Sequence, residues 1–259
     1  MITHRLMPIA AIAAALAVMP AAAAAAGTHG PFTTIDVPGA TDTIVGTVND
    51  FGVASGFYTD SHGTNHGFID RNGQFTTIND PSAGNASGQG TGIATINNLG
   101  VVDGTYTDAR GVQHGFIDRG GVFTTVNHAH AGTASGQGTS LGYINDFGTV
   151  SGVYVDSRGK LVSFVGRPGG FRTLNDPAAP AFSTFVGAVN DSGVIVGAYT
   201  DTNGMLHGFI DQNGRFTTVD DPAGVQGTAA EGISNTGVIG GFYNDSNGSG
   251  HGFTFSTAN

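Results

Sequence analysis

Four histidines, His66, His114, His207 and His251, each stand six residues after an aspartate, at Asp60, Asp108, Asp201 and Asp245. An Asp–His pair at fixed spacing can serve as a general base, and a set of histidines can ligate a metal. Asp156 keeps its place where the histidine is lost, which assigns the aspartate to a local turn and not to a dyad. Ligands must gather on one centre, and equivalent positions of different repeats do not converge. The segments 201–204 and 245–248 echo calcium loops, yet each brings one carboxylate where several are needed. His128-Ala-His130 replaces the Asp-Pro of sibling loops (Asp80-Pro81, Asp176-Pro177). It is a weak candidate for metal, incomplete with two ligands, and no cofactor is expected.

Three residues break the internal pattern and are the candidate ligand contacts. Glu231 is the only glutamate in the chain and lies where other copies have Gly46, Ala94, Gly142 and Gly187. Asp103 stands against Ser55, Ser151, Val196 and Gly240. Tyr143 is the one tyrosine outside the repeat positions. Glycoside hydrolysis requires a pair of carboxylates, and one acid near an axis with another farther out makes an unconvincing pair. No catalytic residue is assigned, and the chain is expected not to be an enzyme.

The elements that carry these residues follow from an internal repeat. Phe-Thr-Thr-Ile/Val stands at Phe32, Phe75, Phe123 and Phe216, with a looser copy at Phe171, roughly 43 to 48 residues apart. Each copy continues through a loop, often opening Asp-Pro, into a short apolar run ending in Asn. A Gly-bearing turn follows, such as Asn-Asp-Phe-Gly at 49–52. A second run then ends in Tyr, at Tyr58, Tyr106, Tyr154, Tyr199 and Tyr243. Next come an Asp-x-x-Gly turn, His-Gly-Phe-Ile-Asp, and a tight turn back to Phe-Thr-Thr. Four short β-rich runs joined by Gly turns predict an antiparallel meander, and helical periodicity is missing. Glycines on the innermost runs (Gly46, Gly142, Gly187, Gly232) fit a crowded axis.

The expected fold is all-β: a five-bladed β-propeller of four-stranded antiparallel blades over residues 27–259, with repeats starting near 32, 75, 123, 171 and 216. An open β-solenoid is the alternative. The chain runs out one strand short of a fifth copy, so the N-terminal strand at 32–37 is expected beside 250–255 as the outer strand of the last blade. That arrangement closes the ring and removes free edges.

The pattern Gly-x-Tyr-x-Asp-x-x-Gly-x-x-His-Gly-Phe followed by Gly-x-Phe-Thr-Thr resembles the HAF repeat of predicted extracellular bacterial proteins. Gly67, Gly115, Gly208 and Gly252 stand where that family usually has Ala, and Val162-Ser163-Phe164 replaces His-Gly-Phe in the third copy. The resemblance implies an extracellular address and no particular activity.

Residues 1–26 have the layout of a secretory signal peptide: Arg5 near the start, an apolar run from Met7 to Met19, and Ala-x-Ala sites before Gly27. Secretion or a periplasmic location is therefore expected, with no membrane span in the mature chain. With no Cys, disulfides are excluded. Nine basic against nineteen acidic residues give −10, which argues against nucleic acid. The 44 glycines follow no period of three, so the chain is not collagen-like. The expected role is a monomeric, non-enzymatic binding module for an unknown glycan or protein, with contacts sought on the polar crossover loops and at Tyr143, Glu231 and Asp103. A multivalent glycan-binding protein is the alternative, and a hydrolase using the central channel is third. Absence of Trp counts against the glycan reading, because sugar sites favour exposed aromatic platforms.

Overall fold

A computed structural model describes residues 33–180 and 183–256. The expected signal peptide and Phe32 lie outside the described residues. Within them the chain is all-β, with nineteen strands and no helix, so no helix is long and apolar enough to cross a membrane. The first unit is β1 (Asp42–Val48), β2 (Ala54–Thr59), β3 (Asn65–Arg71) and β4 (Gln74–Ile78). The second is β5 (Gly90–Ile96), β6 (Val102–Thr107), β7 (Gln113–Asp118) and β8 (Phe123–Val126). The third is β9 (Gly138–Ile144), β10 (Val150–Val155), β11 (Leu161–Arg167) and β12 (Gly170–Thr173). The fourth is β13 (Thr184–Val189), β14 (Ile195–Thr200), β15 (Leu206–Gln212) and β16 (Arg215–Val219), and the last is β17 (Thr228–Ile233), β18 (Val238–Asn244) and β19 (Gly250–Ser256).

Every unit is an antiparallel meander, as the alternation of β-branched runs and Gly turns requires. The Phe of His-Gly-Phe, and its counterpart Phe164 in the third unit, lies opposite a glycine of the second strand: Gly104 faces Phe116, Gly152 faces Phe164 and Gly197 faces Phe209. A Cβ on Gly104 would sit 2.9 Å from the Phe116 ring, so the ring needs the missing side chain. Phe68, Phe116, Phe164 and Phe209 are wholly buried, and each packs against the Phe of Phe-Arg/Thr-Thr on the outer strand at 4.8–5.7 Å between centroids.

Each inner strand carries a bulge, at Gly46, Ala94, Gly142 and Glu231 and, in the fourth unit, within Val186–Val189. Crowding explains two of the four inner glycines. A Cβ on Gly46 would collide with the Ala94 carbonyl of the next unit, and one on Gly187 would lie 2.6 Å from the Glu231 carbonyl oxygen. Gly142 and Gly232 have open space beside them, contrary to the expectation of a uniformly crowded axis.

Asparagine joins the units at the inner turns. Asn97 Oδ1 accepts from the Leu99 and Val101 N–H groups, which fixes its own turn. Its Nδ2 donates to the Asn145 carbonyl at 3.0 Å. Asn49 donates likewise to Asn97, Asn145 to Asn190 and Asn190 to Ser234. In the fifth unit Ser234 keeps only the first half of this role, its Oγ accepting from the Val238 N–H. The bridging amide therefore makes four steps across five units.

The closing strand is not formed among the described residues. Thr33–Val37 carry no strand, and β19 pairs with β18 alone. Val37 N–H donates to Thr43 Oγ1 at 3.1 Å, the bond that the crossovers repeat from Asp80 to Thr91, His128 to Thr139 and Asp176 to Thr184. Val37 therefore keeps the crossover register of the repeat, while residues 33–36 form no ladder among the described residues.

Asn97→Ala should lower unfolding stability by about 2–4 kcal/mol, because it orphans two turn N–H groups and one buried carbonyl. Asn97→Ser, which copies Ser234, should cost about half as much. Urea unfolding of the two variants checks this ranking, and equal losses would contradict the double role of the amide.

Candidate functional site

The ends of all five inner strands line one cavity of about 350 Å³. Its walls are Thr47, Thr95, Tyr143 and Val189, with Ile233 from the fifth unit. Around the mouth runs a second ladder. The Asp50 N–H donates to Asn98 Oδ1, Asn98 N–H to Asp146 Oδ1, Asp146 N–H to Asp191 Oδ1 and Asp191 N–H to Asn235 Oδ1, all at 2.8–3.0 Å. The Asn98 amide also donates to Asp50 Oδ2 and Asp146 Oδ2, and the Asn235 amide to Asp191 Oδ2. Three carboxylates and two amides thus line the rim, positioned by each other.

Next to this polar ring stand apolar side chains in water. Phe51, Leu99 and Phe147 are 76%, 71% and 63% exposed, and they follow Asp50, Asn98 and Asp146 directly. In the tight turn Asn-x-Phe-Gly the side chain between the capping Asn and the positive-φ Gly has no protein surface to cover it. The fourth and fifth units carry Ser192 and Thr236 at this place. Reading the sequence missed these residues, although a signal existed: an apolar residue at the tip of a two-stranded turn cannot be core.

Of the expected contacts, the cavity takes one. Tyr143 is half-buried in its wall, and its hydroxyl is held above the ordinary tyrosine range by burial, then by the carboxylates of Asp191, Asp103, Asp146 and Asp50. Asp103 is fully buried away from the mouth, with Oδ1 accepting from the Thr95 N–H and hydroxyl and Oδ2 without a partner. Burial pushes its carboxyl up to about 7, against the Thr95 hydrogen bonds. Glu231 sits exposed on the β17 bulge, outside the cavity wall, its carboxyl raised by burial of its inner side. Asp103 and Glu231 are not brought to one cavity.

The histidines serve packing. His66 stacks on Tyr58 at 5.0 Å, with Nδ1 against Asn79 and Nε2 against Asp60 at 3.3 Å, and His114, His207 and His251 repeat the stack. Asp60 mainly serves the turn: the Thr64 N–H donates to it and holds its carboxyl at about 2. No group of three possible metal ligands exists among the described residues. His128 and His130, the weak metal candidates, make a local contact of their own. His128 is buried, its Nδ1 accepts from the His130 N–H, and its ring lies on Tyr154 at 4.0 Å and 6°. It replaces two parts at once: the Asp that caps sibling loops, as Asp80 does for Ser82, and the imidazole that Val162 removed from this Tyr.

The crossover loops, expected to hold the ligand, lie on the opposite face and spend their polar groups internally. Gln89 Oε1 accepts from the Ala86 N–H while its amide donates to the Ala109 carbonyl, and Thr64 Oγ1 donates to Asn85.

No family model and no curated protein matches the chain. Solved structures resemble it at low identity. A fungal lectin of Aleuria aurantia with a six-bladed β-propeller fold shares 13% identity, covering 83% of this chain and 74% of its own, with a TM-score of 0.47. The BP39L lectin of Burkholderia pseudomallei shares 14% over 89% and 71%, again at 0.47. A prolyl endopeptidase structure shares 12% over 85% of this chain, with a TM-score of 0.54, and this chain covers 36% of that protein. The last likeness is one of fold alone.

Asp103 gives a pH signature. Native Asp103 keeps its proton up to about pH 7, whereas an unfolded aspartate loses it near pH 4. The native state then binds more protons across that window, so this group's contribution falls as pH rises through it and levels off above. D103N retains an acceptor for Thr95 and carries no charge. Urea unfolding at pH 4 and pH 8 should show D103N gaining on the wild type by on the order of a few kcal/mol. A difference that does not move with pH would contradict the buried neutral acid.

Proposed function

We propose that the chain is an exported five-bladed β-propeller that binds glycans, without catalysis, through the inner-turn rim of its axial cavity. The observation that carries this reading is the pairing of exposed Phe51, Leu99 and Phe147 with Asp50, Asn98 and Asp146 on successive units. A sugar presents a C–H face and a hydroxyl edge. Aromatic faces cover the first, while carboxylate and amide groups held rigidly by their neighbours accept from and donate to the second. Repetition over three units provides multivalency, which multiplies weak single contacts.

Convergence of five inner strands on one cavity supports the five-bladed ring. Closure by the segment around 32–37 is supported by the Val37–Thr43 bond, which repeats the crossover register. Export is supported by the layout of residues 1–26, and the resemblance to HAF repeats points the same way. The non-enzymatic reading is supported by the separation of Asp103 and Glu231. A protein ligand on the same rim is the second reading, favoured by Leu99 and Val122, which are exposed yet offer no stacking face.

A glycan array probed with the protein from residue 27 onward should give a consistent class of hits. Phe51→Ala and Phe147→Ala should each weaken binding about tenfold with the thermal midpoint unchanged. Absence of any hit, or hits that both variants retain, would overturn the reading.

A further inference from the structure

Charge is divided unequally between the two faces. The crossover face carries the Asp-x-x-Gly aspartates, from Asp60 to Asp245, together with Asp220 and Asp221. The cavity face carries the rim carboxylates Asp50, Asp146 and Asp191 and the turn-capping Asp70, Asp118 and Asp211, but adds arginines at the outer turns: Arg71 and Arg167 end the third strands of their units, Arg119 follows β7 and Arg215 opens β16. All four are exposed. Among the described residues the arginine ion pairs are Arg110–Asp108 and Arg172–Asp211, so these four guanidinium groups are held by no carboxylate.

Arg119 has the most telling position. A Cβ built on Gly148 would lie 3.8 Å from Arg119 Nη2, so this guanidinium crosses from the second unit onto the inner turn of the third. The same turn carries Phe147, whose ring is exposed, and Asp146, whose two oxygens each accept from Asn98. The turn thus offers an apolar platform, hydroxyl-binding oxygens on the axial side and an unpaired cation on the outer side.

Resting on the glycan reading above, we infer that the ligand is an acidic polysaccharide, its carboxylate or sulfate facing outward onto Arg119. Its hydroxyl edge then turns toward Asp50, Asp146 and Asp191. The rim carboxylates repel an anion placed over the axis and so fix this orientation, while the planar guanidinium pairs with the anion through two parallel hydrogen bonds. Arg71, Arg167 and Arg215 are further exposed cations on the outer turns of the same face, available to a chain that continues around it.

The probes are polygalacturonate, heparin, fully methyl-esterified polygalacturonate and dextran, with phosphatidylglycerol vesicles as a non-sugar anion. Immobilised protein should bind at least one of the two acidic polymers and weaken when NaCl rises from 50 to 500 mM. Arg119→Gln should lower that affinity about three- to tenfold, and Arg71→Gln/Arg167→Gln should lower it further, with thermal midpoints unchanged. Equal binding of neutral and acidic polymers, untouched by Arg119→Gln, would overturn the acidic inference and leave the glycan reading standing. Binding to no polymer here, together with an empty glycan array, would overturn both. Arg119-dependent binding to the vesicles in place of the polymers would replace the saccharide with a lipid surface.

Discussion

A buried asparagine must satisfy an acceptor and two donors, and in this chain that demand links repeats separated by nearly fifty residues. Asn97 and Asn145 are almost fully buried, so neither end of the amide can be left to water. The oxygen is taken by the turn that follows, and the nitrogen by the carbonyl of the next unit. Local and long-range structure are thereby made to agree: a turn that lost its shape would also lose its neighbour. β-Strands alone would not specify this arrangement, since adjacent units share only single backbone bridges, Asn65 to Gly90 and Gln113 to Gly138.

The same constraint creates the candidate site. Once the amide pins each inner turn, the next residue joins the carboxylate and amide ring and the one after it points into solvent. Turn chemistry sets the position, and the residue type at the tip then sets what the face can hold. On the other face the loops between units use their glutamines and threonines to tie neighbours together, which leaves little for a ligand. The molecule thus divides its labour: one face ties neighbouring units together through its loops, and the other sets exposed apolar side chains and arginines around the rim carboxylates Asp50, Asp146 and Asp191.

Much of the fold was legible in the sequence, because it depends on local rules. Gly turns, β-branched runs and the recurring Phe-Thr-Thr gave the meanders and their order. The turn role of the aspartates was legible too, since Asp156 survives without its histidine. His128 was not legible as a packing residue, because its partner Tyr154 lies in another strand and the vacancy it fills was made by Val162. Asp103 and Glu231 drew attention as candidate ligand contacts because each breaks the repeat, although they made an unconvincing pair. Strand register instead puts one inside a unit and the other on a bulge. The exposed crown was hidden for a different reason: a Phe in a β-rich chain reads as core until its turn is placed. The strand expected at 32–37 to close the ring is not formed at 33–37, and Phe32 lies outside the described residues.

The central claim is that ligands meet the inner-turn face and not the crossover face. Hydrogen–deuterium exchange with and without a saturating bound polysaccharide tests it directly. The account predicts new protection at the turns 49–52, 97–100 and 145–148, with the Asp-x-x-Gly turns at 60–63, 108–111 and 156–159 unchanged. Protection confined to those Asp-x-x-Gly turns and the crossover loops would contradict it.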